Sequence, residues 1–142
     1  MKNKKIITID GPSASGKGLL ARELAKELDF ILLDSGLLYR AYSYCFDKEK
    51  NHDSAMNFFS QLSIEGVTGA MEVFEGNRNI TPALRHENIA LSASKLSSLK
   101  ETRENLIAFQ RGLANDYGLI ADGRDMGTVV FPDAATKIFL IA

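Results

Sequence analysis

The chain has a single cysteine in 142 residues. It can form no internal disulfide and no cysteine cage for a metal. Cys45 closes the apolar stretch AYSYC (41–45), where a buried structural thiol is expected rather than a reactive one. An excess of charge of one sign is lacking too. The formal net charge is −1, which excludes the bulk field that would draw the protein to DNA, RNA or an anionic membrane. Any phosphate must be held by a local cluster of donors. No apolar run approaches the ~20 residues of a membrane span. The basic start, Lys2 to Lys5, meets Asp10 after a short apolar run, too soon for a signal-peptide core. A cytoplasmic protein without nucleic-acid or membrane partners is expected. Neither His52 nor His86 has a partner at metal-ligand or triad spacing, so both read as surface residues. Internal repeats and low-complexity segments are absent.

What is there suits one compact domain, 1–142, with a substantial core: 45% hydrophobic and 25% charged residues. IITI (6–9) is a short β-branched run and reads as a buried parallel strand. LLARELAKEL (19–28) repeats Leu20, Leu24 and Leu28 against a charged face, an amphipathic helix. FILL (30–33) is a second strand, completing a right-handed βαβ unit. Ser35 starts a helix through Tyr39 and Tyr42, and Asp53 or Ser54 caps another that ends near Leu62. SIEGVTGAMEVFEGNRNI then breaks into short β-type runs at Thr68-Gly69 and Gly76-Asn77, predicting a β-rich inserted subdomain over about 63–81 on the rim of the sheet. Helical pattern returns over about 87–117, with Leu99, Leu106 and Leu113 at heptad spacing. GLIAD (118–122) and KIFLIA (137–142) are the third and fourth strands.

The first βα turn carries GPSASGKG (11–18). A glycine-rich loop between strand and helix lets successive backbone N–H groups and the helix N-terminus cradle phosphate oxygens. Gly11, Pro12, Ser13, Ala14, Ser15, Gly16, Lys17, Gly18 and Leu19 form the candidate triphosphate site, with Lys17 reaching the β- and γ-phosphates. The usual loop has Ser or Thr after its lysine to help hold Mg²⁺. Here Gly18 and Leu19 follow.

GPSASGKG, LDSGLLYR (33–40) and IADGRDMGTVVFPDA (120–134) together resemble bacterial cytidylate kinases, P-loop nucleoside monophosphate kinases, from about Ile6 to the last residue. The resemblance implies a three-layer α/β/α fold with a parallel sheet of order 2-3-1-4-5. It implies transfer of a phosphoryl group from ATP, with Mg²⁺, to CMP or dCMP. Gly18 fits the family; Leu19 stands where Thr or Ser is expected, which implies altered handling of Mg²⁺–ATP.

Arg40, just past the second strand, can hold a monophosphate through paired hydrogen bonds. Asp122 ends the third strand and is placed like a Walker-B-type aspartate acting on Mg²⁺ or its waters; no residue is assigned as a direct metal ligand. Arg124 can bridge the acceptor and transferring phosphates. By the resemblance, Ser35 and Arg40 contact the CMP side and Asp125 helps read the exocyclic amine of cytosine, which a carboxylate accepts while repelling the carbonyl of uracil. Lys17, Asp122 and Arg124 are the catalytic candidates. ALSASKLSSLKETREN (90–105) matches the family's base-binding stretch, with Ser94 and Arg103 in the matching positions. Nine residues of continuous helix turn through ~900° and put these two on opposite faces, so a break at Ser97-Ser98 is expected. Arg78, Arg85 and Arg111 are further candidates to add positive potential near the acceptor.

The family continues past its fourth strand with an arginine-bearing lid, residues for the adenine and the CMP sugar, and a fifth strand. Lid arginines resemble arginine fingers, worth ~10³–10⁵ in rate. On this reading the parallel sheet is truncated after the fourth strand. Family members are expected to be monomeric, with association through the apolar fourth-strand edge in this chain. The alternative is a truncated, non-catalytic remnant that binds CMP or phosphate.

Overall fold

A computed structural model describes residues 3–12, 15–67, 69–114 and 118–141. Ser13, Ala14 and Tyr117 lie outside them. The described chain divides into two compact units: Met1–Ser35 with Gly66–Met71 and Phe109–Ala142, and Gly36–Glu65 with Glu72–Ala108.

The first unit is built on four parallel strands: β1 (Asn3–Asp10), β2 (Ile31–Asp34), β6 (Leu119–Gly123) and β7 (Ala134–Phe139), in the order β2-β6-β1-β7. Renumbered among themselves the strands run 2-3-1-4, the first four places of the expected order. Helix α1 (Lys17–Leu28) packs on them because its small residues Ala21 and Ala25 are fully buried against Ile9, Leu32 and Ile120, with Leu20, Leu24 and Phe30 around them. Burying such side chains stabilises by roughly 25 cal/mol per Å². A parallel register leaves the carboxyl ends of all four strands at one edge: Asp34 pairs with Asp122, and Asp10 with Gly123 and Phe139.

The fourth strand begins three residues earlier than KIFLIA suggests and ends at Phe139. Pairing with β1 sets its length, from Asn3↔Ala134 to Asp10↔Phe139, so Leu140 and Ile141 belong to no strand. Leu140 donates its N–H to the Asp10 carbonyl, at 2.8 Å, and packs against the core cluster.

The second unit holds most of α2 (Ser35–Glu49), α3 (His52–Gln61), β5 (Arg78–Asn79), α4 (Thr81–Leu84), α5 (Glu87–Leu96) and most of α6 (Lys100–Leu113). The strands β3 (Ser63–Val67) and β4 (Ala70–Glu75) complete a three-stranded sheet, β3-β4-β5; β4 and β5 are antiparallel. Short strands thus lie where β-type runs are expected.

Local readings change at the α3 cap, the leucine heptad and His52, while the expected break at Ser97-Ser98 is present. Asn51, not Asp53 or Ser54, caps α3: its side chain accepts from Ser54 N–H at 2.8 Å. The helical stretch 87–117 is two helices, and α4 precedes them. Their break takes in Ser97 and Ser98, whose hydroxyls donate to the carbonyls of Ser94 (2.9 Å) and Lys95 (2.8 Å), bonds that compete with helix continuation. Leu99 falls outside both helices and is 44% exposed while Leu106 is buried, so the heptad is not one continuous seam. His52 is half-buried rather than a surface residue, because Tyr42 stacks on its ring and hydrogen-bonds its Nδ1 at 2.6 Å. Cys45 is buried, as expected, and burial pushes its thiol up to about 12.

Candidate functional site

The phosphate loop leaves β1 through Gly11, at φ 154°, where a Cβ would stand 2.9 Å from the Leu140 carbonyl oxygen. Gly16 adopts left-handed φ 84° and serves as the N-cap of α1, a conformation glycine reaches without the Cβ clash. Between them Ser15 donates both its N–H (3.0 Å) and its hydroxyl (2.6 Å) to the Pro12 carbonyl.

Lys17, the first residue of α1, lies against the end of β6. Its Nζ is 3.0 Å from Asp122 Oδ1, and the two side chains are only 17% and 11% exposed. Burial raises the Asp122 carboxyl above its usual range, the bond and charge of Lys17 oppose that rise, the Asp34 charge adds to it and Arg22 subtracts from it. A Cβ on Gly18 would stand 3.4 Å from Arg22 Nη1 and 4.0 Å from Asp122 Oδ2. Position 18 therefore borders the carboxylate, whereas Leu19 is 59% exposed.

Ser35 follows β2 and is buried; a Cβ on Gly123 would stand 2.7 Å from its Cβ. Lys17, Gly18, Asp122 and Ser35 thus gather at one sheet edge. Arg124 and Asp125 are exposed and follow β6 directly. Asp125 is left-handed, φ 58°, and its carbonyl accepts from the N–H groups of Val129 (2.9 Å) and Val130 (3.0 Å) in a single π-helical turn, Met126–Val130. Such turns recur at functional sites.

Arg40, Ser94 and Arg103 belong to the other unit. Arg40 lies in the second turn of α2 and is half-buried, Ser94 is exposed on α5, and Arg103 is half-buried on α6. The break over 97–99 separates the last two, as their spacing required. Two of the three extra arginines are committed elsewhere. Arg111 donates from Nε to the Val130 carbonyl (2.9 Å) and from Nη2 to that of Val129 (2.7 Å), closing the end of the π turn. Arg78 binds Glu75 (2.9 Å) and the Tyr44 hydroxyl (3.1 Å).

Sequence reasoning missed Asp10, Asp34 and Arg22. Asp10 is 6% exposed and accepts from Met126 N–H at 2.8 Å and Gly127 N–H at 2.9 Å. The signal was available: Asp10 and Asp34 each end an apolar strand, and Asp122 stands one residue before the end of another. Asp34 and Asp122 supply hard oxygen donors in register. Mg²⁺ is commonly held by one or two carboxylates together with substrate phosphates and water, so these residues fit it. Among the described residues no group of three or more His, Cys, Asp or Glu could hold a metal by itself.

Comparison with known proteins points the same way. The family described as cytidylate kinase matches residues 7–142. A cytidylate kinase of Pseudomonas syringae pv. tomato is 43% identical over 146 residues, covering 96% of this chain and 63% of that protein. One from Acinetobacter baumannii is 43% identical over 147 residues, covering 97% and 64%. A bifunctional pantoate ligase/cytidylate kinase of Prochlorococcus marinus subsp. pastoris is 42% identical over 149 residues, covering all of this chain and 29% of that protein. The chain thus spans less than two thirds of the length of these relatives. With its parallel sheet, its glycine loop and the Lys17–Asp122 pair at the sheet edge, the chain belongs to the cytidylate kinase family.

Proposed function

We propose that this chain serves in the transfer of the γ-phosphoryl group of ATP to CMP or dCMP. The observation that carries the reading is the Lys17–Asp122 pair, which joins the phosphate loop to the DGRD segment at 3.0 Å. In the transfer a phosphate oxygen of the acceptor bonds to Pγ, and the bond from Pγ to the β–γ bridging oxygen breaks. That oxygen keeps the electron pair and leaves with ADP. The protein's part is alignment and charge neutralisation.

Lys17 exchanges Asp122 for the β- and γ-phosphates, and the N–H groups of the loop from Gly11 to Gly18 hold the phosphate oxygens. Asp122 and Asp34 would hold Mg²⁺, which neutralises phosphate charge. Arg124 spans the acceptor and transferring phosphates. Ser35 and Arg40 take the acceptor phosphate side, and Asp125, Ser94 and Arg103 the cytosine. In this reading residues about 63–81 form a β-rich inserted subdomain on the acceptor side.

A second reading, binding without turnover, draws support from Leu19, an apolar and exposed residue where a hydroxyl would approach the metal. The test is phosphoryl transfer by the 142-residue chain with Mg²⁺–ATP and CMP, dCMP, UMP or AMP. Turnover favouring CMP and dCMP is expected. A folded chain that binds CMP without turnover would instead establish the second reading, and a preference for AMP or UMP would overturn both.

A further inference from the structure

Asp10 stands one residue before the phosphate loop, yet its carboxylate is committed to the other loop of the site. Oδ1 accepts from Met126 N–H at 2.8 Å and Oδ2 from Gly127 N–H at 2.9 Å. Asp125 is left-handed (φ 58°, ψ 25°) and the π-helical turn begins at Met126, so the two N–H groups that follow Asp125 converge as in an anion-binding nest. The anion in this nest is a side chain of the chain itself. The fit is close: a Cβ on Gly127 would stand 2.7 Å from Thr8 Oγ1, so the loop lies against β1 at two points. The Asp10 carbonyl also accepts from Leu140 N–H at 2.8 Å.

We propose that Asp10 is a positioning residue for the acceptor nucleotide: from the strand that delivers the phosphate loop, it holds Arg124 and Asp125 in place. The inference rests on the acceptor-side reading of those two residues. Arg124 and Asp125 are exposed, and both their flanks are tethered. On one side they are tethered by β6, which ends at Gly123. On the other they are tethered by the Asp10 clamp at Met126 and Gly127. Recognition of a base edge tolerates errors of only about 0.5 Å, so releasing one flank costs discrimination before it costs the fold. Asp10→Asn keeps the shape but offers one acceptor oxygen in place of two, and turns an NH₂ group toward a backbone N–H. Losing a hydrogen bond to a charged group is worth about tenfold or more in an equilibrium.

The experiment is calorimetric binding of CMP and of UMP to the 142-residue chain, to Asp10→Asn and to Asp125→Ala, with amide exchange read at Met126 and Gly127. Asp10→Asn is expected to exchange those amides faster and to lose CMP-over-UMP preference by about tenfold, approaching Asp125→Ala. A merely structural role would lower the melting temperature and leave that ratio alone. An Asp10→Asn chain that keeps the wild-type ratio despite faster exchange overturns the inference. Should Asp10→Asn not fold, Gly127→Ala lifts the loop from Thr8 with Asp10 intact; it must lose the same preference, and keeping it overturns the inference. A wild-type chain without any preference overturns the acceptor reading, and the Asp10 role with it.

Discussion

At Asp122, burial and pairing act in opposite directions: burial raises its carboxyl, and the Lys17 ammonium at 3.0 Å draws it back down without restoring it. The folded value therefore lies above the unfolded one. The group's favourable contribution is fully present below the unfolded value and is lost as pH rises through the folded value, because the ionised carboxylate is the form that burial disfavours. Asp122→Asn should accordingly gain on the wild type in melting temperature as pH is raised from 4 to 7; a difference independent of pH would refute this. A functional carboxylate kept at a cost to stability is common at active sites. Leu19 allows a separate test. Leu19→Thr places a hydroxyl at the metal side of the loop and should lower the Mg²⁺ concentration needed for half-maximal binding of ATP, by roughly three- to tenfold, about the worth of one hydrogen bond. An unchanged magnesium requirement would mean that position 19 does not approach the metal. That Lys17, Asp122 and Ser35 come together at the sheet edge follows from the sequence, because each stands at a strand end or in the loop beside one. The partners of Asp10 do not, since they are backbone N–H groups 116 and 117 residues away, and backbone donors carry no sequence signal.

Among the elements, α1 and the parallel strands follow from period and apolarity, while the second unit depends on caps and breaks. Asn51 sits outside the first turn of α3 with extended backbone (φ −147°) and satisfies Ser54 N–H. Asn51→Ala should cost about 1 kcal/mol, read as a lower urea midpoint with unchanged slope. Asp53→Ala, at a position read as a cap but lying within the first turn, should cost less, in line with its dipole contribution of about 0.3–1 kcal/mol. Equal losses would undo the assignment. The confusion arose because His52, Asp53 and Ser54 follow Asn51 directly, and several capping residues in a row leave the helix start ambiguous by one or two positions. The break over 97–99 was legible for a different reason: the resemblance implied that two residues nine apart share a site, and the two serines between them were the available breakers.

For the molecule as a whole, the edges of the parallel sheet matter. β7 is an edge strand of the four-stranded sheet, and near its end Phe139 is 57% and Ile141 92% exposed. Unpaired apolar edges template association. Sedimentation of the 142-residue chain should show concentration-dependent association that Phe139→Lys with Ile141→Lys reduces, and a chain that stays monomeric at high concentration would contradict this. Lys137, already on β7, is too isolated a charge to blunt that edge. The sequence by itself determined the strand–loop–helix unit, the short strands that follow α3 and the resemblance that named the family, because these rest on local spacing and on contiguous motifs. Only the tertiary structure decided where β7 ends, that Arg111 closes the π turn, and that Asp10 holds the DGRDMG segment. Each of these is set by a partner distant in the chain, and the geometry of a backbone hydrogen bond exists only once the strands have been laid side by side.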